Sequence, residues 1–453
     1  VLAAQPNHPD ALHLLGVLAF QCGQNDQALA LLRRAVEVKP NYPQAYNHLG
    51  AVLSAMGRSA EAVAALRKAV TQSPGFAEAV FNLANALKAN EQLDEAIATY
   101  RRVLVLEPRF AVAANELGMA LELRGRPKEA ITEYRRAIAL DPNLAQAHFR
   151  LAMQLLLLGE METGWKEYEW RFKLTGPSGY WQPPDPQWDG SDLTGRSILL
   201  HNEQGFGDTF QFIRYATMVA RRGGKVLMVC APEQLRLLQG MKAISQCFIP
   251  GEPLPKFEVQ CPLMSLPFVF GTTLQTIPHD VPYLRAEAAD VEKWQSKFNI
   301  ATGRKKVGLV WAGRPSHPND AKRSIPFATL AALREVANVT FFSLQKGDAA
   351  NDARSPGSPL RMMDLTDEMT DFSETAACIE NLDLVISVDT SIVHLAGAMG
   401  KPVWTLLPYL PEWRWMLDRD NSPWYPTMRL FRQQSPGDWS GVISRVAQTL
   451  ENL

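Results

Sequence analysis

Small and apolar positions return every 34 residues along the first third of the chain. Alanine recurs at Ala11, Ala45, Ala79, Ala113 and Ala147, and a second alanine at Ala28, Ala62, Ala96 and Ala130. A leucine followed by a small residue recurs at Leu15-Gly16, Leu49-Gly50, Leu83-Ala84, Leu117-Gly118 and Leu151-Ala152. Pro6, Pro40, Pro74, Pro108 and Pro142 punctuate the same register. The columns predict stacked helical hairpins: small residues let two antiparallel helices approach, leucines fill the space between them, and proline cannot continue the helix.

Residues 9–144 in this register resemble tetratricopeptide repeats. A fifth unit from Ala145 departs from the pattern: Gly164 stands in the second alanine column, and Trp165, Tyr168, Trp170 and Phe172 crowd its second helix. A terminal repeat must cover its open face, so this aromatic helix is expected to dock on the next domain. Such solenoids bind peptide on the concave side, along the first helix of each hairpin. Asn47, Asn82, Asn85 and Asn115 lie on those helices and are candidate acceptor-binding groups, since asparagine both donates and accepts; solvated surface asparagine is the alternative. The chain begins at Val1, without a Met and part-way through a repeat, so the natural N-terminus is expected to lie before it.

Residues 1–175 are thus read as repeats and 176–195, rich in Pro, Gly and Asp, as a linker. Beyond them the hydrophobic pattern changes to short apolar runs alternating with helical segments, the signature of a parallel α/β sheet. Strands are predicted at 197–201, 225–230, 246–249 and 258–260, with helices at 209–222 and 232–240. After a connecting helix at 289–298, strands are predicted at 306–311, 339–344, 384–388 and 403–407, and helices at 327–336, 372–381, 391–399 and 439–450. The fold class expected is an α-solenoid followed by two Rossmann-like lobes of GT-B type, 196–288 and 289–453.

The chemistry concentrates at two turns. Gln204-Gly-Phe-Gly-Asp208 follows the first strand and opens a helix, where α/β sheets bind ligands. A third glycine in register is missing, which argues against a dinucleotide site. Asp208 there is either a general base or a helix cap. Asp389-Thr390-Ser391 ends a buried strand and opens a second helix, whose N–H groups, hydroxyls and dipole suit an anion.

Both turns resemble the ADP-heptose:lipopolysaccharide heptosyltransferases. Gly207-Asp208-Thr209 is similar to that family's amino-terminal motif, whose aspartate is its proposed general base. Asp389-Thr-Ser-Ile-Val-His394-Leu-Ala, with Gly400-Lys-Pro402 after it, is similar to the block that holds the donor diphosphate. The resemblance implies Asp208 as base and Gly205, Gly207, Arg323, Lys346, Asp389, Thr390, Ser391 and His394 on the donor side. Arg323 stands where the family has lysine, and Ser391 where it often has glycine. His394 as a core histidine and Lys346 as a solvated lysine remain alternatives. The whole layout resembles bacterial tetratricopeptide-repeat glycosyltransferases, including some that modify flagellin. It implies an inverting, metal-independent glycosyltransferase with a nucleotide-sugar donor as substrate, no cofactor, and a protein acceptor recruited by the repeats. A non-catalytic scaffold and a GT-B-fold sugar-nucleotide epimerase are the rivals.

Composition constrains this picture little. The 453 residues suffice for two or three domains, and a formal net charge of −1 gives no field for nucleic acid. No apolar run approaches the roughly 18 residues of a membrane span. Cys22, Cys230, Cys247, Cys261 and Cys378 form no metal-binding spacing, in keeping with a reducing cytoplasm. Asp418-Arg-Asp420 spells the DxD metal motif of the other glycosyltransferase fold but is read as structural, outside that context. Trp413, Trp415, Trp424 and Tyr425 either stack on a donor base or pack a loop core.

Overall fold

A computed structural model describes residues 1–174, 183–301 and 303–452. Residues 176–182 of the expected linker lie outside the described residues. The chain forms two compact units, one of Val1–Leu155 with Glu167–Leu174, the other of Leu156–Lys166 with Thr175–Leu453.

The helices of the repeats are α1 (Pro9–Gln21), α2 (Asn25–Val38), α3 (Pro43–Ala55), α4 (Ser59–Gln72), α5 (Ala77–Ala89), α6 (Leu93–Leu106), α7 (Ala111–Leu123), α8 (Pro127–Leu140), α9 (Ala145–Leu157) and α10 (Met161–Tyr168). The small-residue column has a steric cause. A Cβ on Gly16 would lie 2.8 Å from Leu32 Cγ, and one on Gly118 2.5 Å from Tyr134 Cε1; Gly50 faces Leu66 in the same way. Successive hairpins are also tied along their second helices, where Arg33, Arg67 and Arg101 each pair with a glutamate 28 residues on: Glu61, Glu95 and Glu129. These exposed pairs contribute little energy each, but they repeat with the same 34-residue period.

The crowded aromatic helix does not act as one group. Trp165 belongs to the second unit, edge-on to Phe212, Trp413 and Trp424 at 5.2–6.3 Å between centroids. Trp170 belongs to the first and stacks on His148 at 3.7 Å.

In the second unit, β1 (Ser197–His201), β2 (Lys225–Val229), β3 (Gln246–Phe248) and β4 (Val259–Pro262) form a parallel sheet in the order β3-β2-β1-β4. A second parallel sheet, in the order β10-β9-β8-β5-β6-β7, contains β5 (Lys305–Val310), β6 (Val339–Ser343), β7 (Met363–Asp364), β8 (Leu384–Val388), β9 (Val403–Leu407) and β10 (Met428–Arg432). Every residue of β8 and β9 is buried, as strands covered on both faces must be. The helix expected over 209–222 is broken into Phe206–Phe212, a 3₁₀ turn at Ile213–Tyr215, and Ala216–Ala220. The helix expected over 327–336 is 3₁₀ throughout. Neither β7 nor β10 was expected: β7 is two residues long, and arginines at both 429 and 432 mask the apolar run of β10.

The hairpin turns carry a column of their own. Gly23, Gly57, Gly125 and Gly159 adopt φ of 73–82°, and Glu91 takes the equivalent place at 60°. The left-handed region costs a residue with a Cβ about 1 kcal/mol or more. Glu91→Gly is therefore expected to stabilise the full chain by about 0.5–1 kcal/mol after the added chain entropy of glycine. Urea denaturation would measure it; a loss of stability would mean that the Glu91 side chain offsets its backbone.

Candidate functional site

In both sheets the strand order reverses beside the central strand: β1 lies between β2 and β4, and β5 between β6 and β8. Ligands of open α/β sheets bind outside the carboxyl ends of the strands at such points. The turn after β1 carries Gly205–Asp208, the loop after β5 carries Arg323, and the turn after β8 carries Asp389–Ser391.

Asp208 is the third residue of helix Phe206–Phe212. Its Oδ2 accepts from the Gly205 N–H at 2.9 Å, closing the helix start as a cap. Its Oδ1 is ion-paired with Arg414, from the loop after β9. Gly207 is glycine because the two lobes meet there: a Cβ would lie 2.8 Å from His394 Cδ2 and 3.4 Å from Ser391 Cα.

On the other side, Arg323 Nη1 donates to the Asp389 carbonyl at 2.8 Å, and its Nε lies 3.3 Å from Asp320 Oδ1. Thr390 is the N-cap of helix Ser391–Ala398 and makes no side-chain cap bond; its hydroxyl lies 3.2 Å from that of Ser387. Burial raises the Asp389 carboxyl above its usual range and Asp208 adds to this, against Trp415, Arg414 and Arg323. His394, 4 % exposed, has Nδ1 3.0 Å from the Tyr425 hydroxyl and Nε2 3.9 Å from Asp389 Oδ1. Burial, with Arg414 and Arg214 nearby, holds its imidazole well below the usual histidine range, so the ring is neutral.

Gly205, Gly207, Asp208, Arg323, Asp389, Thr390, Ser391 and His394 thus share one crevice. Lys346 does not join them: its ammonium donates to the Met369 carbonyl. The Gly205 N–H is taken by Asp208, and Gly207 serves the approach of two helices. The asparagines of the repeats are less open than their helix positions imply. Asn47 is 0 % and Asn115 2 % exposed. Asn47 donates to Glu78 at 2.9 Å and accepts from Asn82 at 2.8 Å, and Asn85 accepts from Tyr100. Trp413, Trp415, Trp424 and Tyr425 are at most 2 % exposed, the packed loop core of the two alternatives. Asp418 and Asp420 are exposed, and no cluster of three metal-ligating side chains occurs among the described residues.

Arg414, Glu412 and His317 also belong to the crevice, and the sequence motifs did not include them. Glu412 Oε1 accepts from Arg414 Nη1 at 2.5 Å and Oε2 from the Arg414 N–H at 2.9 Å. Burial, reinforced by Asp389 and opposed by Arg414, raises the Glu412 carboxyl to about 7. His317 lies within electrostatic reach of Arg323, Asp389, Asp320 and Asp208, and burial lowers its proton affinity. The tryptophans around Glu412 and Arg414 left this loop open between donor stacking and a packed core, and nothing local marked its charges as partners of Asp208.

Known proteins give this geometry a setting. Residues 281–434 match the model of glycosyltransferase family 9 (heptosyltransferase). Residues 18–57, 43–76 and 81–145 match models of the tetratricopeptide repeat. The chain therefore joins tetratricopeptide repeats to a glycosyltransferase family 9 domain in its C-terminal half. Protein FlbA of Caulobacter vibrioides is 25 % identical over 322 residues, covering 64 % of this chain and 52 % of that protein; the chain spans about half the length of this relative. Among solved structures, MamA residues 41-end from Desulfovibrio magneticus is similar at 20 % identity and a TM-score of 0.35, covering 37 % of this chain and 94 % of its own. A thermophilic tetratricopeptide-repeat protein of Thermus thermophilus is similar at 22 % identity and a TM-score of 0.31, covering 36 % of this chain and 90 % of its own. Among the described residues no helix is long and apolar enough to cross a membrane.

The neutral His394 has a measurable consequence. As pH falls below about 6.5, the unfolded chain takes up a proton that His394 resists in the folded state. Its contribution to stability is full above that pH and is lost on acidification. His394→Gln should therefore shrink the fall in the urea midpoint between pH 7.5 and 5.5. An unchanged fall would show that His394 protonates in place.

Proposed function

We propose that this chain is an inverting glycosyltransferase that moves a sugar from a nucleotide-activated donor to a protein acceptor, with no metal or cofactor. The observation that carries the reading is the placement of Asp208 after β1, on a helix whose start packs against the helix start at Thr390-Ser391 after β8. In this reading 196–288 is the acceptor-side lobe and 289–453 the donor-side lobe. The acceptor hydroxyl oxygen forms its bond to the anomeric carbon as the bond from that carbon to the diphosphate oxygen breaks. The electron pair leaves with the diphosphate, and the hydroxyl proton passes to Asp208. Arg323 and the N–H groups of helix Ser391–Ala398 balance the charge on the leaving group. The family 9 match over 281–434 supports a nucleotide-sugar donor.

The repeats recruit the acceptor, with Asn82 and Asn85, partly exposed on the first helix of their hairpin, as its contacts; Asn47 and Asn115 stiffen that face from within. Flagellin is one acceptor to test. Cysteines held as thiols, four of them buried, support a cytoplasmic setting.

Asp208→Asn should keep the fold and donor binding and lower transfer by roughly 100-fold or more, the lower bound for a general base. Transfer within a few-fold of wild type removes Asp208 from this role. A thermal-shift screen of ADP, GDP, UDP, CMP and their sugars should find a ligand that stabilises by about 2.7 kcal/mol at 100 times its Kd. Arg323→Ala should weaken that ligand at least about tenfold by calorimetry, the loss of one charge-assisted hydrogen bond. Unchanged affinity would place the diphosphate elsewhere.

A further inference from the structure

Asp208 and Glu412 share one guanidinium. Arg414, 8 % exposed, pairs with Asp208 through Nη2 and with Glu412 through Nη1 at 2.5 Å, while its Nε donates to Gln211 Oε1 at 2.7 Å. Asp208 and Gln211 stand on the first lobe, Arg414 and Glu412 on the second. Gln211 is 0 % exposed, and because a guanidinium only donates, the amide oxygen is the end turned to Arg414.

We propose that Arg414 is the positioning residue that presents Asp208 to the acceptor hydroxyl, and that Glu412 sets how basic Asp208 is by drawing on the same guanidinium. The proposal rests on the reading of Asp208 as the base. A carboxylate paired one-to-one with arginine is a weak proton acceptor. An ionised Glu412 withdraws part of that positive charge and adds its own negative potential, so Asp208 takes the acceptor proton more readily. A neutral Glu412 leaves the charge of Arg414 on Asp208.

The groups that face Glu412 are Arg414 on its own loop, Asp389 at the end of β8 with Arg323 against its carbonyl, and Asp208 beyond the guanidinium. With its carboxyl raised to about 7, Glu412 ionises as pH rises through neutrality. The expected sign is a transfer rate that increases across pH 7.

The test uses the full chain, with the donor found by the nucleotide screen and kcat measured from pH 5.5 to 9. Wild type should show a rise in kcat of about threefold or more across pH 7, since only a Brønsted fraction of a change in the base reaches the rate. Glu412→Gln should lose that rise, and at pH 8 it should turn over at the wild-type rate of pH 6, with donor KM within about twofold. Retention of the rise, or of the wild-type rate at pH 8, overturns the proposal. A fall to the level of Asp208→Asn at every pH also overturns it, because Glu412 would then be the proton acceptor itself.

Arg414→Lys provides a second reading if Glu412→Gln misfolds. One ammonium cannot reproduce the forked contacts to Asp208, Glu412 and Gln211. Its kcat should fall about tenfold with donor affinity by calorimetry unchanged, and a wild-type profile in this variant overturns the proposal. Failure here with an inactive Asp208→Asn leaves the base assignment standing; an active Asp208→Asn removes the base assignment first.

Discussion

Two buried guanidinium groups tie together the elements that meet at Asp208. Arg214, 4 % exposed, sits in the first lobe and donates to the carbonyls of Pro278 and Trp424 at 2.7–2.8 Å and to the Tyr283 hydroxyl at 2.8 Å. Arg414 reaches back from the second lobe to Asp208 and Gln211. A guanidinium keeps its charge in a protein interior and must find partners for a planar set of donors. Each arginine therefore fixes the distance between elements of different sheets. Losing Arg214 would strand two carbonyls, and losing Arg414 would leave the Asp208 carboxylate without its cation, the costly way to break a buried pair. The position of Asp208 follows from this clasp as much as from its own helix.

The two compact units solve the same entropy problem by different means. The repeats bury small residues against leucine and tyrosine, each hairpin leaning on its neighbours, so their contacts are local in sequence. The α/β unit depends on contacts between residues far apart in the chain: β5 pairs with β8, and Trp294 donates to Glu374 across 80 residues. Arg236 extends this, bonding both Asp371 at 2.9 Å and Asp290 at 2.6 Å. The solenoid can flex hairpin by hairpin, whereas the crevice moves only if several long-range bonds break together.

The repeats were the most legible part of the chain, because each steric requirement recurs at a fixed interval and a column of glycines at 16, 50 and 118 states it plainly. Eight of the ten described strands were legible because buried parallel strands are apolar without alternation; β7 and β10 were not. The break of the helix after β1 at Ile213–Tyr215 has no local signal in the sequence; it falls where Arg214 is buried among long-range partners. At the site, Asp208 and the Thr390-Ser391 turn stood out by their place at strand ends. The other half of the crevice, Arg414 and Glu412, did not, because its meaning lies in a partner 206 residues away. Asn47 and Asn115, buried within the repeats, are the converse case. Helical position alone does not reveal that a neighbour such as Glu78 has already engaged the Asn47 amide.

The recurring pairs Arg33–Glu61, Arg67–Glu95 and Arg101–Glu129 make the first unit a modular object in a literal sense. A copied hairpin inserted between two others would meet the same charges, the same small-residue column and the same turn on both sides. Duplicating or deleting a stretch of coding DNA can therefore lengthen or shorten this surface without redesigning its joints. The number of hairpins can change in this way while every residue around Asp208 stays as it is.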